Sequence, residues 1–423
     1  MPRNLIICFD GTNNEFGLEN TNVVRLVQVL DRNPDKQRLY YDPGVGTMPA
    51  PGIRTKIGET ASRVGGLAFG GGLMRNVEEA YTFLMEMWEP GDKVFLFGFS
   101  RGAYTARVLA AMLHAVGLLP RANENMLPYA IRLFKGIRKE MNKQPNGKRT
   151  APYKQLLQEF RWTFARPTPE SPRSRRFHVH FEGVWDTVSS VGWVWNPASF
   201  PFTAWNPSIG IIRHAVSIDE RRWFFRQNLV KPALKQDCKE MWFPGVHSDV
   251  GGGYPADKGG LWRVAFEWML AEARAAGLLV DSARLRKVRN TPAPPARPWA
   301  EPINNSLTWY WWPAEYFPKL RWDEETQRRW PAIGRRQPRS IPKCVWLHSA
   351  ALDRIRLTDA NGNHVYSPRN LMPAFLQKVR SQPAVPPQGM QTDGNCAGGQ
   401  PQGPVPGPGH APAQPDGGDD AGA

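Results

Sequence analysis

Three side chains that together support nucleophilic catalysis each lie just past an apolar run. They are Ser100 in VFLFGFSRGAYTAR, Asp186 in FEGVWDTV and His247 in KEMWFPGVHSDVGGG. A serine hydroxyl is a weak nucleophile near neutral pH and needs a base within hydrogen-bond reach, itself oriented by a third group. Ser100 stands between Gly98 and Gly102. Small residues on both flanks let a chain turn sharply from strand to helix and leave the serine exposed at the turn. The helix starting there offers free backbone N–H groups and the positive end of its dipole to a developing oxyanion. Singly, Asp186 reads equally as a turn cap and His247 as a packed polar residue beside a glycine bend. Together they make a chain of transfer: His247 takes the proton of Ser100, and Asp186 holds the imidazole and stabilises its cation. The oxyanion is then expected to meet the backbone N–H of Arg101 and one from the first loop, Gly11 or Thr12, with Asp10 and Asp249 as nearby polar support.

Positioning these groups requires strands that end side by side. NLIICFD, RLYYD, KVFLFGF, FHVHFEGVW and KEMWFPGV read as strands, and helical patterns fall between several of them, notably 76–88 and 261–274. The alternation predicts an α/β fold with a mainly parallel sheet and helices on both faces. In such a sheet, ligand sites gather beyond the carboxyl ends of the strands, where Asp10, Ser100, Asp186 and His247 all fall. The chain order serine, aspartate, histidine is that of an α/β-hydrolase.

Competing motifs lack essential parts. Asp10-Gly11-Thr12 is similar to the motif of the haloacid-dehalogenase phosphatases, but Cys8 stands where their nucleophilic aspartate belongs. The run GGLAFGGG at 65–72 lacks the Gly-Lys-Ser/Thr of a phosphate cradle and reads as a mobile loop near the site. His247 and Asp249 have no third ligand at metal spacing, so neither metal nor cofactor is expected.

The chain has 423 residues and a formal net charge of +16. Between Arg121 and Arg176 there are 14 Lys or Arg against 4 Glu, so residues 121–176 read as a basic insertion, either a solvated excursion or a contact with an anionic membrane surface. Nucleic acid is not an expected partner, because no helix-turn-helix, zinc or ribonucleoprotein pattern accompanies the charge. Residues 281–345 form a Trp/Pro-rich insertion whose LTWYWWPAEYFPKLRW is expected to pack over the core more readily than to meet lipid. From Ser381 no Lys or Arg occurs and Pro and Gly dominate, which predicts a disordered tail over 381–423 after a catalytic domain of 1–380. The amino terminus runs straight into an apolar strand with no classical secretory signal, so synthesis in the cytoplasm is expected. The four scattered cysteines are expected to remain thiols.

FDGTNNE, YYDPGVGT, PGDKVFLFGFSRGAYTAR, FEGVWDTVSSVG and WFPGVHSDVGGGY occur in this order over roughly residues 5–255, with an echo in WLHSAALDR at 346–354. In these stretches the chain resembles the catalytic domain of type VI secretion phospholipase effectors. The resemblance implies an α/β-hydrolase fold, ester hydrolysis through Ser100, Asp186 and His247, and release of fatty acid from glycerophospholipids. It also implies export by type VI secretion, with secretion-apparatus and immunity proteins as partners. A non-phospholipid acyl esterase, or a lipid-surface binding module with a vestigial triad, are the alternatives.

Overall fold

The computed structural model describes residues 2–11, 17, 19–44, 71–143, 151–188, 192–193, 196–197, 200–316, 318–323, 328–382 and 389–392. Its sheet contains β1 (Asn4–Phe9), β2 (Gln37–Asp42), β3 (Lys93–Phe99), β4 (Val179–Trp185), β5 (Ile209–Ser217), β6 (Asp237–Phe243), β7 (Trp346–Leu347) and β8 (Met390–Gln391). The strand order is β8-β7-β6-β5-β4-β3-β1-β2, parallel throughout except between β7 and β8. NLIICF is apolar without alternation because β1 is buried on both faces: Leu5, Ile7 and Phe9 join one core, Ile6 and Cys8 the other.

Helices α1 (Asn22–Val29), α2 (Gly71–Met87), α3 (Arg101–Val116), α4 (Leu127–Lys143), α5 (Ala151–Phe164), α6 (His247–Gly251), α7 (Trp262–Ala275), α8 (Ser282–Asn290), α9 (Ser349–Arg356) and α10 (Pro373–Ser381) complete the scaffold. Residues of α2 to α5 line the first core, and residues of α1, α7 and α8 line the second. The fold is the α/β class expected.

Register aligns the ends that matter. Phe9 pairs with Gly98, Phe99 with Trp185, Trp185 with Ala215 and Ser217 with Phe243. The residues just past β1, β3, β4 and β6 therefore emerge along one edge.

Three strands of this eight-stranded sheet were not among the expected runs. β5 carries Arg213 and His214 at its centre, which breaks the apolar signal. Both are buried and paired: Arg213 with Asp237 at 2.8 Å and Glu272 at 2.5 Å, His214 Nδ1 with Glu240 at 2.9 Å. β7 and β8 are two residues long, too short for periodicity, and β8 falls inside the span read as tail. Residues 383–388 and 393–423 of that span lie outside the described residues. Cys8 and Cys238 are free, but Cys344 is disulfide-bonded, which corrects the expectation of four thiols. A lone bridge leaves no spacing pattern to read.

The basic stretch is built largely of α4 and α5. Leu127, Ile131, Phe134, Leu157 and Phe160 bury themselves in the first core, while Arg132, Lys135 and Lys154 stay exposed. In the aromatic stretch Leu307 is buried, but Trp309, Trp312 and Tyr316 are 76, 46 and 53 % exposed. Among the described residues no helix is long and apolar enough to cross a membrane.

Candidate active site

Ser100 sits between β3 and α3 with φ 59° and ψ −120°. This is a costly region for a residue with a Cβ, sustained only where the surroundings fix it. The flanking glycines explain how. A Cβ on Gly98 would lie 2.6 Å from backbone atoms of Ala103, and one on Gly102 would lie 2.3 Å from the carbonyl oxygens of Phe9 and Asp10. Only glycine lets α3 approach β1 this closely. The Ser100 N–H donates to the Trp185 carbonyl at 3.0 Å, tying the turn to the end of β4.

Asp186 follows β4 at φ 41°, and His247 opens the short helix α6 after β6. His247 Nε2 is 2.7 Å from Ser100 Oγ, and His247 Nδ1 is 2.5 Å from Asp186 Oδ2. An ionised carboxylate only accepts, so Nδ1–H donates to Asp186 and Nε2 is left to accept from the serine hydroxyl. Sixty-one residues separate Asp186 from His247, and a further sheet crossover separates both from Ser100. The three residues singled out from the sequence form one hydrogen-bonded chain. Rings close around the imidazole, Phe99 at 4.6 Å and Phe225 at 4.9 Å between centroids, and Trp311 packs on Phe225 at 5.4 Å.

Two charged residues beneath this chain went unnoticed in the sequence. Arg339 is buried and grips Asp186 with both ends of its fork: Nη1 to Oδ1 at 2.6 Å, Nη2 to Oδ2 at 2.9 Å. It also donates to Ser217 Oγ at 2.8 Å and to the Phe225 carbonyl. The Ser217 N–H reaches Asp186 Oδ1 at 2.9 Å. Burial works against ionisation of Asp186, but Arg339 and His247 outweigh it and hold the carboxyl well below its usual range. Glu220 is the second. It accepts from the His247 N–H at 3.2 Å, from Ser306 Oγ at 3.0 Å and from Arg222 at 2.9 Å. Burial opposes its charge too, yet Arg222 brings it down to about 2. Neither residue carries a motif; each sits in a loop and, Arg221 and Arg222 beside Glu220 apart, binds groups remote in sequence.

Burial drives the His247 pKa below its ordinary value, against the pull of Asp186. The imidazole is thereby kept neutral and able to accept a proton near pH 7.

The remaining expected residues fall as follows. The Arg101 N–H opens α3, where helix geometry leaves it without an intrahelical acceptor. The Gly11 N–H donates to Asp10 Oδ1 at 2.7 Å, and Thr12 lies outside the described residues. Asp10 also accepts from Thr21 Oγ1 at 2.8 Å and Tyr41 Oη at 3.0 Å, so it braces the first loop. Asp249 accepts from the Val246 N–H at 3.0 Å and from Asn304 Nδ2 at 2.7 Å, fixing the turn that presents His247. The glycine run at 65–72 lies outside the described residues except Gly71 and Gly72, which begin α2. His348 caps α9, its Nδ1 accepting from the Ala350 N–H at 3.2 Å, and stacks on Phe243. Among the described residues no group of three His, Cys, Asp or Glu could hold a metal ion.

A cleft of about 650 Å³ opens beside His247, lined by Val246, Ser306, Arg221, Arg335, Arg336 and Arg369 among others; Ser100, His247 and Asp186 do not line it.

Residues 3–272 match the family described as "T6SS, Phospholipase effector Tle1-like, catalytic domain". The uncharacterized protein YEL023C of Saccharomyces cerevisiae is 36% identical over 238 residues, which is 54% of this chain and 33% of the yeast protein. The chain thus spans about a third of that relative's length. Among solved structures, an uncharacterized protein from Pseudomonas aeruginosa aligns at 18% identity and TM-score 0.42, over 70% of this chain and 49% of the other. The structure of the Tle1 effector bound to the VgrG spike of the type 6 secretion system aligns at 19% identity and TM-score 0.31, over 60% and 52%.

Proposed function

Since the chain belongs to the Tle1-like catalytic-domain family of type VI secretion phospholipase effectors, we propose that it is a serine hydrolase that releases fatty acid from glycerophospholipids. The observation that carries this reading is the chain of hydrogen bonds from Ser100 through His247 to Asp186, at 2.7 and 2.5 Å, behind a serine held at positive φ.

Ser100 Oγ attacks the acyl carbonyl as His247 Nε2 removes its proton. Charge on the former carbonyl oxygen is met by the Arg101 N–H at the head of α3. The imidazolium is stabilised by Asp186, and its proton passes to the departing glycerol oxygen as the tetrahedral intermediate collapses to an acyl-enzyme. Water activated by the same imidazole then frees the fatty acid and restores the serine.

Two features favour a phospholipid over a small soluble ester. Trp309, Trp312 and Tyr316 are exposed around Trp311, which reaches His247 through Phe225, and such aromatics suit an interface between water and acyl chains. The four arginines of the 650 Å³ cleft suit an anionic headgroup. On the same premise the chain is made in the cytoplasm and exported by a type VI apparatus, with a component of that apparatus and an immunity protein as partners.

The test is mass spectrometry of mixed phospholipids incubated with the protein and with Ser100→Ala, alongside labelling by a fluorophosphonate. Fatty acid and lysophospholipid should appear with wild type alone, and only wild type should be labelled. Equal labelling of both proteins would remove Ser100 as nucleophile; labelling with turnover of soluble esters but of no phospholipid would leave a plain acyl esterase.

A further inference from the structure

A second site lies on the flank of the sheet. Arg25 of α1 is 8 % exposed, and its guanidinium rests 3.6 Å from the centre of the Trp262 ring. No hydrogen bond or ion pair engages that guanidinium among the described residues, and its Nη1 is sealed from solvent. The ring face offers a cation electrostatic attraction but no acceptor for its N–H groups. Buried charges are otherwise paired almost without exception. The neighbouring cation, Arg263, adds repulsion, and burial with that repulsion pushes Arg25 down to about 9. Arg25 also lines a cleft of about 540 Å³ between α1 and α8, together with Arg32, Gln28, Arg284 and Lys287. Among the described residues no carboxylate lines it. The nearest acid paired with these cations, Asp281, stands 3.8 Å from Arg284 Nε while its Oδ1 caps the amino end of α8. Arg32, Arg284 and Lys287 are all exposed, Arg32 donating to the Val27 carbonyl at 2.8 Å, so three surface cations surround one buried guanidinium that lacks an acceptor.

We infer that the cleft between α1 and α8 is a binding site for a phosphate group, which meets the part of the Arg25 guanidinium that lines the cleft, Nη1 itself being sealed, and is enclosed by Arg32, Arg284 and Lys287. A phosphate supplies what the site lacks, namely several acceptor oxygens carrying negative charge in a compact group that planar guanidinium forks match. None of the cleft's residues belongs to the chain of Ser100, His247 and Asp186. The site therefore stands apart from the proposed hydrolysis and provides a second point of attachment. The phosphate can belong to an acidic lipid headgroup or be free in solution.

The experiment uses the full chain, Ser100→Ala to prevent lipid turnover, and the same protein with Arg32→Ala and Lys287→Ala added. Both added positions are exposed, and replacing them avoids removing buried Arg25. Inorganic phosphate binding is measured by calorimetry, and vesicle binding by sedimentation on phosphatidylcholine with and without phosphatidic acid. Each cation removed should weaken phosphate binding about tenfold, the loss expected for one charge-assisted hydrogen bond. Retention on phosphatidic acid vesicles without affinity for inorganic phosphate would identify a headgroup as the source; phosphate affinity without vesicle preference would identify a free anion. Binding of neither probe, or equal binding with and without Arg32 and Lys287, would overturn the site. In the Ser100 background the double variant should still hydrolyse a soluble ester at the wild-type rate. Absence of any ester turnover by wild type would count against the hydrolase alone and leave a measured phosphate site standing.

Discussion

Replacing Arg339 by Gln tests how the proposed acid is held. Asp186 is wholly buried, and four groups donate to its carboxylate: the two ends of the Arg339 fork, the Ser217 N–H and the His247 Nδ1–H. Glutamine is shorter, carries no charge and cannot reproduce the fork. A hydrogen bond to a charged group contributes about 1.5–3 kcal/mol, and truncating one partner of a buried pair costs about 3–5 kcal/mol in stability. If the transition state loses the equivalent of one such bond, kcat/KM on a soluble ester falls roughly 10- to 100-fold. The pH profile separates positioning from simple damage. Removing a buried cation beside the His247–Asp186 pair eases protonation of the imidazole, so the acid limb of kcat/KM should move to higher pH. Lowered stability alone reduces active enzyme without moving that limb. Arg339→Lys should restore the limb in part, because it returns the charge but not the fork. The assay is turnover of a short-chain ester from pH 5 to 9, with the folded fraction checked by circular dichroism. Wild-type kcat/KM with an unmoved limb in Arg339→Gln would refute the reasoning and leave Ser217 as sufficient support for Asp186.

Further outcomes follow from the same geometry. His247→Ala should cut ester turnover by about three to four orders of magnitude, whereas His348→Ala, which loses the cap of α9 and the stacking on Phe243, should lower the unfolding midpoint with little effect on kcat; the reverse pattern would exchange their roles. In wild type the acid limb should lie below the ordinary histidine value of about 6.5, because burial favours neutral His247: activity is present above the depressed pKa and lost as pH falls through it, and a limb above that value would contradict the sign. Gly102→Ala places a methyl against the carbonyls of Phe9 and Asp10 and should cost about 1–3 kcal/mol in denaturant unfolding while slowing fluorophosphonate labelling of Ser100; unchanged labelling would mean that the turn adjusts freely. If the basic face of α4 and α5 meets a membrane, binding to anionic vesicles should fall as salt rises, since exposed charges are screened over about 8 Å at physiological ionic strength, and salt-independent binding would shift attention to Trp309 and Trp312.

What could be read from the sequence was local or repeated. Apolar runs buried on both faces gave β1, β3 and β4, and Gly98-Phe99-Ser100-Arg101-Gly102 announced its own turn because the crowding at Gly98 and Gly102 is a property of neighbouring positions. Asp186 and His247 were legible because each follows a strand. β5 was not, because Arg213 and His214 look solvated in sequence and owe their burial to Asp237, Glu240 and Glu272 on other elements. Arg339 and Glu220 stayed hidden for the same reason, and Arg25 because the ring that covers it, Trp262, lies on another helix. A charge among many charges gains meaning only from what stands opposite it, and here the partners lie up to 153 residues away.

The family match stops at residue 272, yet Asp186 is held by Arg339, Glu220 by Ser306 and Asp249 by Asn304. Kinship and electrostatics thus draw different borders around the same proposed active centre. A recombinant fragment cut where the alignment ends would keep every residue of the Ser100 chain and lose the counter-ion of Asp186, leaving a buried carboxylate with only the Ser217 N–H and His247 as donors. For anyone transplanting this centre into another scaffold, the smallest portable piece is the one that neutralises its own buried charge, and it extends at least to Arg339.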